Sequence, residues 1–356
     1  MTDAKRQPTT RHFFQRAWFR WTVGILIAII VAVPLAFNVS ARPGALLIKT
    51  VFERGADTTR EEMARHAPTS GITMLANETY RPNDSDAKLD VFFPETVQEG
   101  ERLPLLIWTH GGAWISGDKT DNTPYYTIFA NEGFTVISLN YSLGPHKTYP
   151  TQIHQINDAL TYIQENAERF HVDPNRIVMA GDSAGAQLTS QIAAIVTNPD
   201  FAAEVGITPA IQPEQLRGVI LNCGIYDMPA FVARDSSLEP KLADLLVWGV
   251  HTSVWAYTGD RNNDSDATQQ MSTISHVTAD FPATWISGGN GDQLTNAQSK
   301  PFAETLTTLG VPVTTVFYAD DHEPKLAHEY QFHLDLQDAQ DATASMIAFL
   351  KDRTQS

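Results

Sequence analysis

The chain is poor in cysteine, in repeats and, over most of its length, in positive charge, and each shortage excludes something. Its single cysteine, Cys223, leaves no intrachain disulfide and no Cys-rich zinc site, so core burial must hold the fold without covalent staples. No repeat or low-complexity tract occurs, which removes fibrous, collagen-like and solenoid readings. Residues 1–60 hold nine Lys/Arg against three Asp/Glu, leaving 16 against 38 for residues 61–356. A body this acidic repels nucleic acid. The 356 residues, 42% hydrophobic and 19% charged, otherwise describe an ordinary globular chain of one large α/β domain or two small ones.

Long apolar runs are also scarce. The exception lies near the start, where Arg20 and Arg42 bracket 21 uncharged residues, Trp21 to Ala41. As a helix this stretch reaches about 31 Å at ~1.5 Å per residue, enough for a hydrocarbon core of ~30 Å. Lys5, Arg6, Arg11, Arg16 and Arg20 precede it, whereas only Arg42 and Lys49 follow closely, so the positive-inside bias places the N-terminus in the cytoplasm and the body outside it. Phe13, Phe14, Trp18, Phe19 and Trp21 suit a headgroup belt. The expectation is a basic arm over 1–20, a transmembrane anchor over 21–41, a linker over 42–70 and a catalytic domain over 71–356, membrane-anchored and extracytoplasmic (periplasmic or cell-surface). The alternative is a signal segment cut after Val39-Ser40-Ala41 and a secreted body. Within 42–70, Leu46, Leu47, Ile48, Val51 and Phe52 form an apolar patch able to lie on a bilayer.

From Ile72 short β-rich runs alternate with longer amphipathic ones, the pattern of a βαβ sheet. Strands are predicted at 72–80, 89–93, 103–108, 136–140, 177–180, 219–222, 284–287 and 314–318. Most inner ones are continuous apolar runs, which fits a mostly parallel sheet covered by helices on both faces. Ile153, Ile156, Leu160 and Ile163 recur at helical spacing, as do Leu188, Ile192 and Ile195; both stripes read as core. The stretch from Asp227 to Phe281 is too long for a simple crossover, and Leu238 to Trp255 within it reads as helix, so a cap-like insertion is expected over about 228–280.

The chemistry is carried first by Gly181-Asp-Ser-Ala-Gly185. A predicted strand ends at Ala180, a helix begins near Ala186, and small residues between them let the chain turn sharply enough to present the Ser183 hydroxyl. A serine needs a base to take its proton and donors to receive the negative charge that develops on the substrate oxygen. After the apolar run Leu103 to Trp108, the text Thr109-His-Gly-Gly-Ala-Trp114 offers backbone N–H groups without bulky side chains. Gly111, Gly112 and Ala113, with the N–H of Ala184, are the expected oxyanion hole. His110 lies on the wrong loop to act as base and is read as bracing the glycine turn.

Taken with Asn140-Tyr-Ser-Leu-Gly-Pro145 and Asp173-Pro-Asn-Arg-Ile177, these motifs resemble, in order, those of the α/β-hydrolases of the hormone-sensitive-lipase-like and bacterial esterase group, over about Leu89 to Leu350. Ala113 stands where lipase-like members often carry a third glycine, and Tyr141-Ser-Leu-Gly-Pro replaces their Tyr-Arg-Leu-Ala-Pro. The resemblance implies an eight-stranded, mostly parallel sheet, a Ser-acid-His triad, and hydrolysis of carboxylic esters without metal or organic cofactor. Asp292, after the strand ending near Ser287, matches the acid loop; Asp227 is the runner-up, since some relatives place the acid one strand earlier. Position leaves two bases open, His322 and His328. The text His328-Glu-Tyr-Gln-Phe332 is similar to the base loop of a bacterial subset of the group and favours His328.

Trp114, Trp248 and Trp255 are expected to line an apolar pocket under the insertion, which with the acidic body suits uncharged small or medium acyl or aryl esters. Amide cleavage of the formamidase type and a catalytically inactive surface binding module are the competing functions. A membrane peptidase would share the triad but lacks any propeller or anionic clamp for a peptide amine.

Overall fold

A computed structural model of the protein describes residues 10–232 and 240–355. Lys5, Arg6 and Leu238, and the side chains of Phe13, Phe14, Arg11, Arg16 and Arg20, lie outside the described residues. Eight strands form one sheet: β1 (Ile72–Thr79), β2 (Lys88–Pro94), β3 (Leu103–Thr109), β4 (Thr135–Leu139), β5 (Val172–Asp182), β6 (Leu216–Asn222), β7 (Thr284–Gly288) and β8 (Val313–Phe317). Their order is β1-β2-β4-β3-β5-β6-β7-β8, with β2 alone running against its neighbours. The helices are α1 (Thr10–Val39), α2 (Arg42–Ala64), α3 (Thr123–Asn131), α4 (Thr151–Glu165), α5 (Ala184–Thr197), α6 (Pro199–Val205), α7 (Met228–Val232), α8 (Pro240–Thr258), α9 (Asp266–Met271), α10 (Lys300–Thr308) and α11 (Gln337–Arg353).

All eight predicted strands are present, most within about a residue at each end, but β5 and β6 begin earlier than the predicted 177 and 219, at Val172 and Leu216. Two apolar clusters cover the faces of the sheet, one centred on α4 and α5, the other on α3 and α11. The stripe Leu188, Ile192 and Ile195 understates α5, because all fourteen of its residues are buried. Three of its polar members bond the insertion between β6 and β7. Gln187 Nε2 donates to the Met271 carbonyl (3.2 Å), Gln191 Nε2 to the Gln270 carbonyl (3.1 Å), and Ser190 Oγ to Thr273 Oγ1 (3.0 Å). Buried amides that are fully paired fix where the insertion sits.

Residues 42–70, expected as a linker, contain instead the 23-residue helix α2. It packs on α8 through small residues: Ala41 and Ala45 are buried with Ala256 and Ile115, and a Cβ on Gly44 would run into Thr252 and Trp248. Of the apolar residues read as a patch, Ile48 packs in this contact, while Leu46, Leu47, Val51 and Phe52 remain exposed. Before it, α1 ends at Val39, and its last turns (Ile30–Val39) meet α2 at 88°. Among the described residues no single helix is long and apolar enough to cross a membrane; this bent pair together meets that length and composition.

The parallel strands are locked to the antiparallel edge by one buried ion pair. Asp90 on β2 accepts from Lys119 Nζ (2.8 Å) and from the Asn77 N–H (2.7 Å), with both charged side chains almost wholly buried. Removing one partner strands the other charge in the interior, at a cost of ~3–5 kcal/mol. Lys119→Met is therefore expected to lower the urea midpoint by about that equivalent, with much of the loss recovered in the double variant Asp90→Asn/Lys119→Met; an unchanged midpoint in the single variant would show the pair to be dispensable.

Candidate functional site

Every loop that carries a chemically suggestive residue leaves the same end of the sheet, the carboxyl ends of β3, β5, β6, β7 and β8, where open α/β sheets bind ligands. Ser183 follows β5 directly, and its backbone sits at φ 51°, ψ −119°, a region that only a strongly constrained residue occupies. The constraint is visible in its flanking glycines. A Cβ on Gly181 would collide with the Gly185 backbone, and one on Gly185 with the Thr109 carbonyl of the neighbouring β3 loop. The two glycines let strand, helix and adjacent loop close to backbone contact, and the serine is left projecting at the apex.

Three side chains then meet. His328 Nε2 lies 3.0 Å from Ser183 Oγ, and His328 Nδ1 lies 2.8 Å from Asp292 Oδ2. The other carboxylate oxygen of Asp292 accepts the Leu294 N–H (2.9 Å), so this aspartate both caps its own turn and holds the imidazole. Asp292 is buried, whereas the His328 side chain is 38% exposed. Burial opposes protonation of His328, but the Cys223 sulfur and the Asp292 carboxylate outweigh it and hold its pKa well above the ordinary value. His322 lies elsewhere, with Nε2 3.0 Å from Asp338 Oδ1. Asp227 is likewise not brought to His328; its carboxylate accepts the Ala230 N–H (3.0 Å) at the start of α7.

The β3 loop faces Ser183 in left-handed backbone, with Gly112, Ala113 and Trp114 at φ 99°, 52° and 61°. A Cβ on Gly112 would strike the Ser116 carbonyl. Among the described residues the N–H groups of Gly112, Ala113 and Ala184 have no protein acceptor. Gly111 departs from expectation: its N–H donates to Asp182 Oδ2 (2.8 Å) and is not free for a ligand oxygen. Behind the loop, His110 stacks on Tyr141 (4.5 Å between rings), its Nδ1 lies 2.8 Å from the Gly111 carbonyl oxygen, and the Tyr141 hydroxyl donates to the His110 carbonyl (2.9 Å). Burial lowers the His110 pKa, so the ring braces the turn as a neutral group.

Several neighbours carried no sequence signal. Asp182 accepts from Trp108 Nε1 (2.7 Å) as well as from Gly111, and burial together with the charge of Glu329 pushes its carboxyl well above the usual range. Cys223 is buried with Sγ within 4.8 Å of the facing Asp292 and His328 ligand atoms. These three have metal-ligand spacing, yet both ring nitrogens of His328 are already engaged by Ser183 and Asp292, so a cation there would compete with those hydrogen bonds.

Two cavities open onto the serine. One, of about 500 Å³, is almost entirely apolar and is walled by Trp114, Ile225, Phe231, Trp248 and Leu294, with Leu47, Val51 and Phe52 of α2 at its mouth. The other, of about 330 Å³, runs past His110, Gly112, Asp121 and Glu329. Trp114 and Trp248 thus line a cavity beside Ser183 as read from sequence. Trp255 does not: it packs beside Ala41 and Ala45 with the Arg261 guanidinium 5.5 Å over its ring. The roof contributed by α2 escaped the sequence reading because its apolar residues are spaced for a helix that is half open to solvent.

Residues 89–306 match the BD-FAE family. The chain is similar to an α/β-hydrolase of Acanthamoeba polyphaga mimivirus (30% identity over 46% of this chain and 48% of that one). It is also similar to esterase LipQ of Mycobacterium tuberculosis (28%; 68% and 54%) and carboxylesterase NlhH of the same organism (29%; 75% and 78%). It therefore spans about half the length of the first two of these relatives. The fold is shared with esterase B of Lactobacillus rhamnosis in an inhibited crystal structure (TM-score 0.73, 18% identity, 87% of this chain and 96% of that one) and with a bacterial heroin esterase (TM-score 0.66, 20%, 86% and 91%). A strained serine between β5 and α5, the loop motifs in their order and the match over most of the body lead to one assignment: the chain belongs to the BD-FAE family, α/β-hydrolases of the hormone-sensitive-lipase-like and bacterial esterase group.

Proposed function

We propose that the protein is a serine carboxylic-ester hydrolase in which Ser183 is the nucleophile, His328 the general base and Asp292 the acid that orients it. The observation that carries this reading is the unbroken chain of two hydrogen bonds from Ser183 Oγ through His328 to Asp292, facing three N–H groups with no acceptor of their own. Neutral His328 takes the Ser183 proton through Nε2 as Oγ attacks the ester carbonyl; Asp292 holds the Nδ1 proton and stabilises the imidazolium that forms. The oxyanion is received by the N–H groups of Gly112, Ala113 and Ala184, without Gly111. His328 then protonates the departing alcohol, and the same groups activate water against the acyl-enzyme. The apolar cavity supports an uncharged acyl or aryl group on one side of the scissile bond, with the smaller and more polar cavity on the other.

We further propose that α1 anchors the chain in a membrane with the basic arm in the cytoplasm and the catalytic domain beyond it. The uncharged stretch 21–41 supports this, as do the exposed side chains of Trp18 and Phe19 next to that stretch and of Trp21, Leu26, Ile30 and Val31 within it.

Ester turnover decides the base. His328→Ala should lose on the order of 10⁴-fold or more in kcat/KM while His322→Ala stays near wild type; the reverse pattern would exchange their roles. A fluorophosphonate probe should label the wild type and not Ser183→Ala. Because His328 works only when unprotonated and its pKa is raised, kcat/KM should climb with pH along a single limb centred above ~6.5. A flat profile through neutrality would remove this base. For the anchor, mass spectrometry of the membrane fraction should find peptides N-terminal to Ala41 still attached, and a mature N-terminus at Arg42 would overturn it.

A further inference from the structure

Seventeen large hydrophobic side chains are exposed among the described residues, and fifteen of them belong to α1, α2 or α8; only Met74 and Leu309 lie elsewhere. A protein that hides its apolar surface everywhere but on three adjoining helices has an interaction face there. This face is also the mouth of the apolar cavity. Leu47, Val51, Leu245 and Leu246 line the cavity and yet are 53%, 60%, 60% and 40% exposed.

The direction of α1 relative to this mouth is set by the body. Phe37 packs against Trp248, a wall of the cavity, at 6.4 Å between rings, and Arg261 Nη2 donates to Asn38 Oδ1 (3.0 Å). The chain then turns through 88° into α2. A helix crossing a bilayer near its normal consequently delivers α2 into the plane of the interface, where an apolar face with Arg42 and Lys49 near its start suits acyl chains below and phosphate headgroups alongside.

We infer that the mouth of the apolar cavity, framed by α2 and α8, docks on the lipid bilayer, so that esters reach Ser183 from the membrane and the substrates are apolar, bilayer-partitioned acyl esters. This rests on the anchor and on the ester-hydrolase reading above, and narrows both. The occupant is a lipid surface because the exposed apolar residues continue from α2 across the bend into the uncharged stretch 21–41 of α1, which a protein partner or a second copy would not require.

The test uses the full chain reconstituted in equimolar phosphatidylcholine and phosphatidylglycerol vesicles. Cys223 is buried, so Leu46→Cys, 63% exposed beside the mouth but outside the cavity lining, can be labelled selectively with a fluorophore. Doxyl-labelled lipid should quench the probe at Leu46→Cys and leave one at Glu304→Cys on α10 bright. In parallel, Leu46→Glu should keep wild-type turnover of soluble p-nitrophenyl butyrate and lose about tenfold on p-nitrophenyl palmitate dissolved in the vesicles. If the protein floats with vesicles and hydrolyses both esters, but the Leu46 probe stays bright and the palmitate rate is unchanged, the docking inference alone is overturned. Protection of the probe that rises with protein concentration in detergent, without lipid, would assign the face to a second copy and overturn it as well. Failure to float removes the anchor and this orientation with it; loss of both activities in the wild type removes the hydrolase reading instead.

Discussion

Close approach of three backbones at the end of β5 is the constraint on which the rest depends. Gly181 and Gly185 have no room for a Cβ, because strand, helix and the β3 loop touch there. That contact fixes the strained dihedrals of Ser183 and, through the same atoms, the distance of the β3 loop from its hydroxyl. The Ser183 hydroxyl and the N–H groups of the β3 loop are thus positioned by one packing event, and the order of a rigid sheet is transmitted to loops that would otherwise be free to adjust. The histidine and aspartate arrive from β8 and β7 at the same sheet end, so their reach is set by strand order and not by sequence distance.

Much of this was legible in the sequence because it is local. The glycine spacing around Ser183, the small residues after β3 and the continuous apolar strands each declare their conformation within a few residues. What is decided by contacts between distant segments was not legible. Position left His322 and His328 open and only the base-loop resemblance favoured His328; the fold brings His328 to Ser183 and leaves His322 against Asp338. Gly111 resembles its neighbours in sequence, and its loss as a donor follows from Asp182 lying across the loop. Trp248 and Trp255 are seven residues apart on one face of α8 and read alike in the sequence, but only Trp248 reaches the cavity, while Trp255, two turns further on, packs by Ala41 and Ala45.

The segment after the apolar run is the most instructive difference. Residues 42–70 have the mixed composition of a connector, and the pattern that makes α2 a roof, small residues on the side facing α8 and large apolar ones toward the cavity, is meaningful only once α8 is present. Buried polar side chains tell a similar story on the other side of the sheet. Gln187 and Gln191 are long polar side chains in a wholly buried helix, and their reason is the insertion whose carbonyls they bind.

The seam between α1 and α2 is also sensitive to charge. The Ala45 N–H donates to the Ala41 carbonyl (2.9 Å), and the Ala41 methyl is buried against the α8 side of the seam. Cutting the peptide bond after Ala41 would remove that acceptor and leave the Arg42 ammonium at the edge of a tightly packed alanine contact, a new positive charge opposed by the partial positive end of its own helix. The uncut chain carries no such charge there, and the roof beside Ser183 stays closely packed on α8.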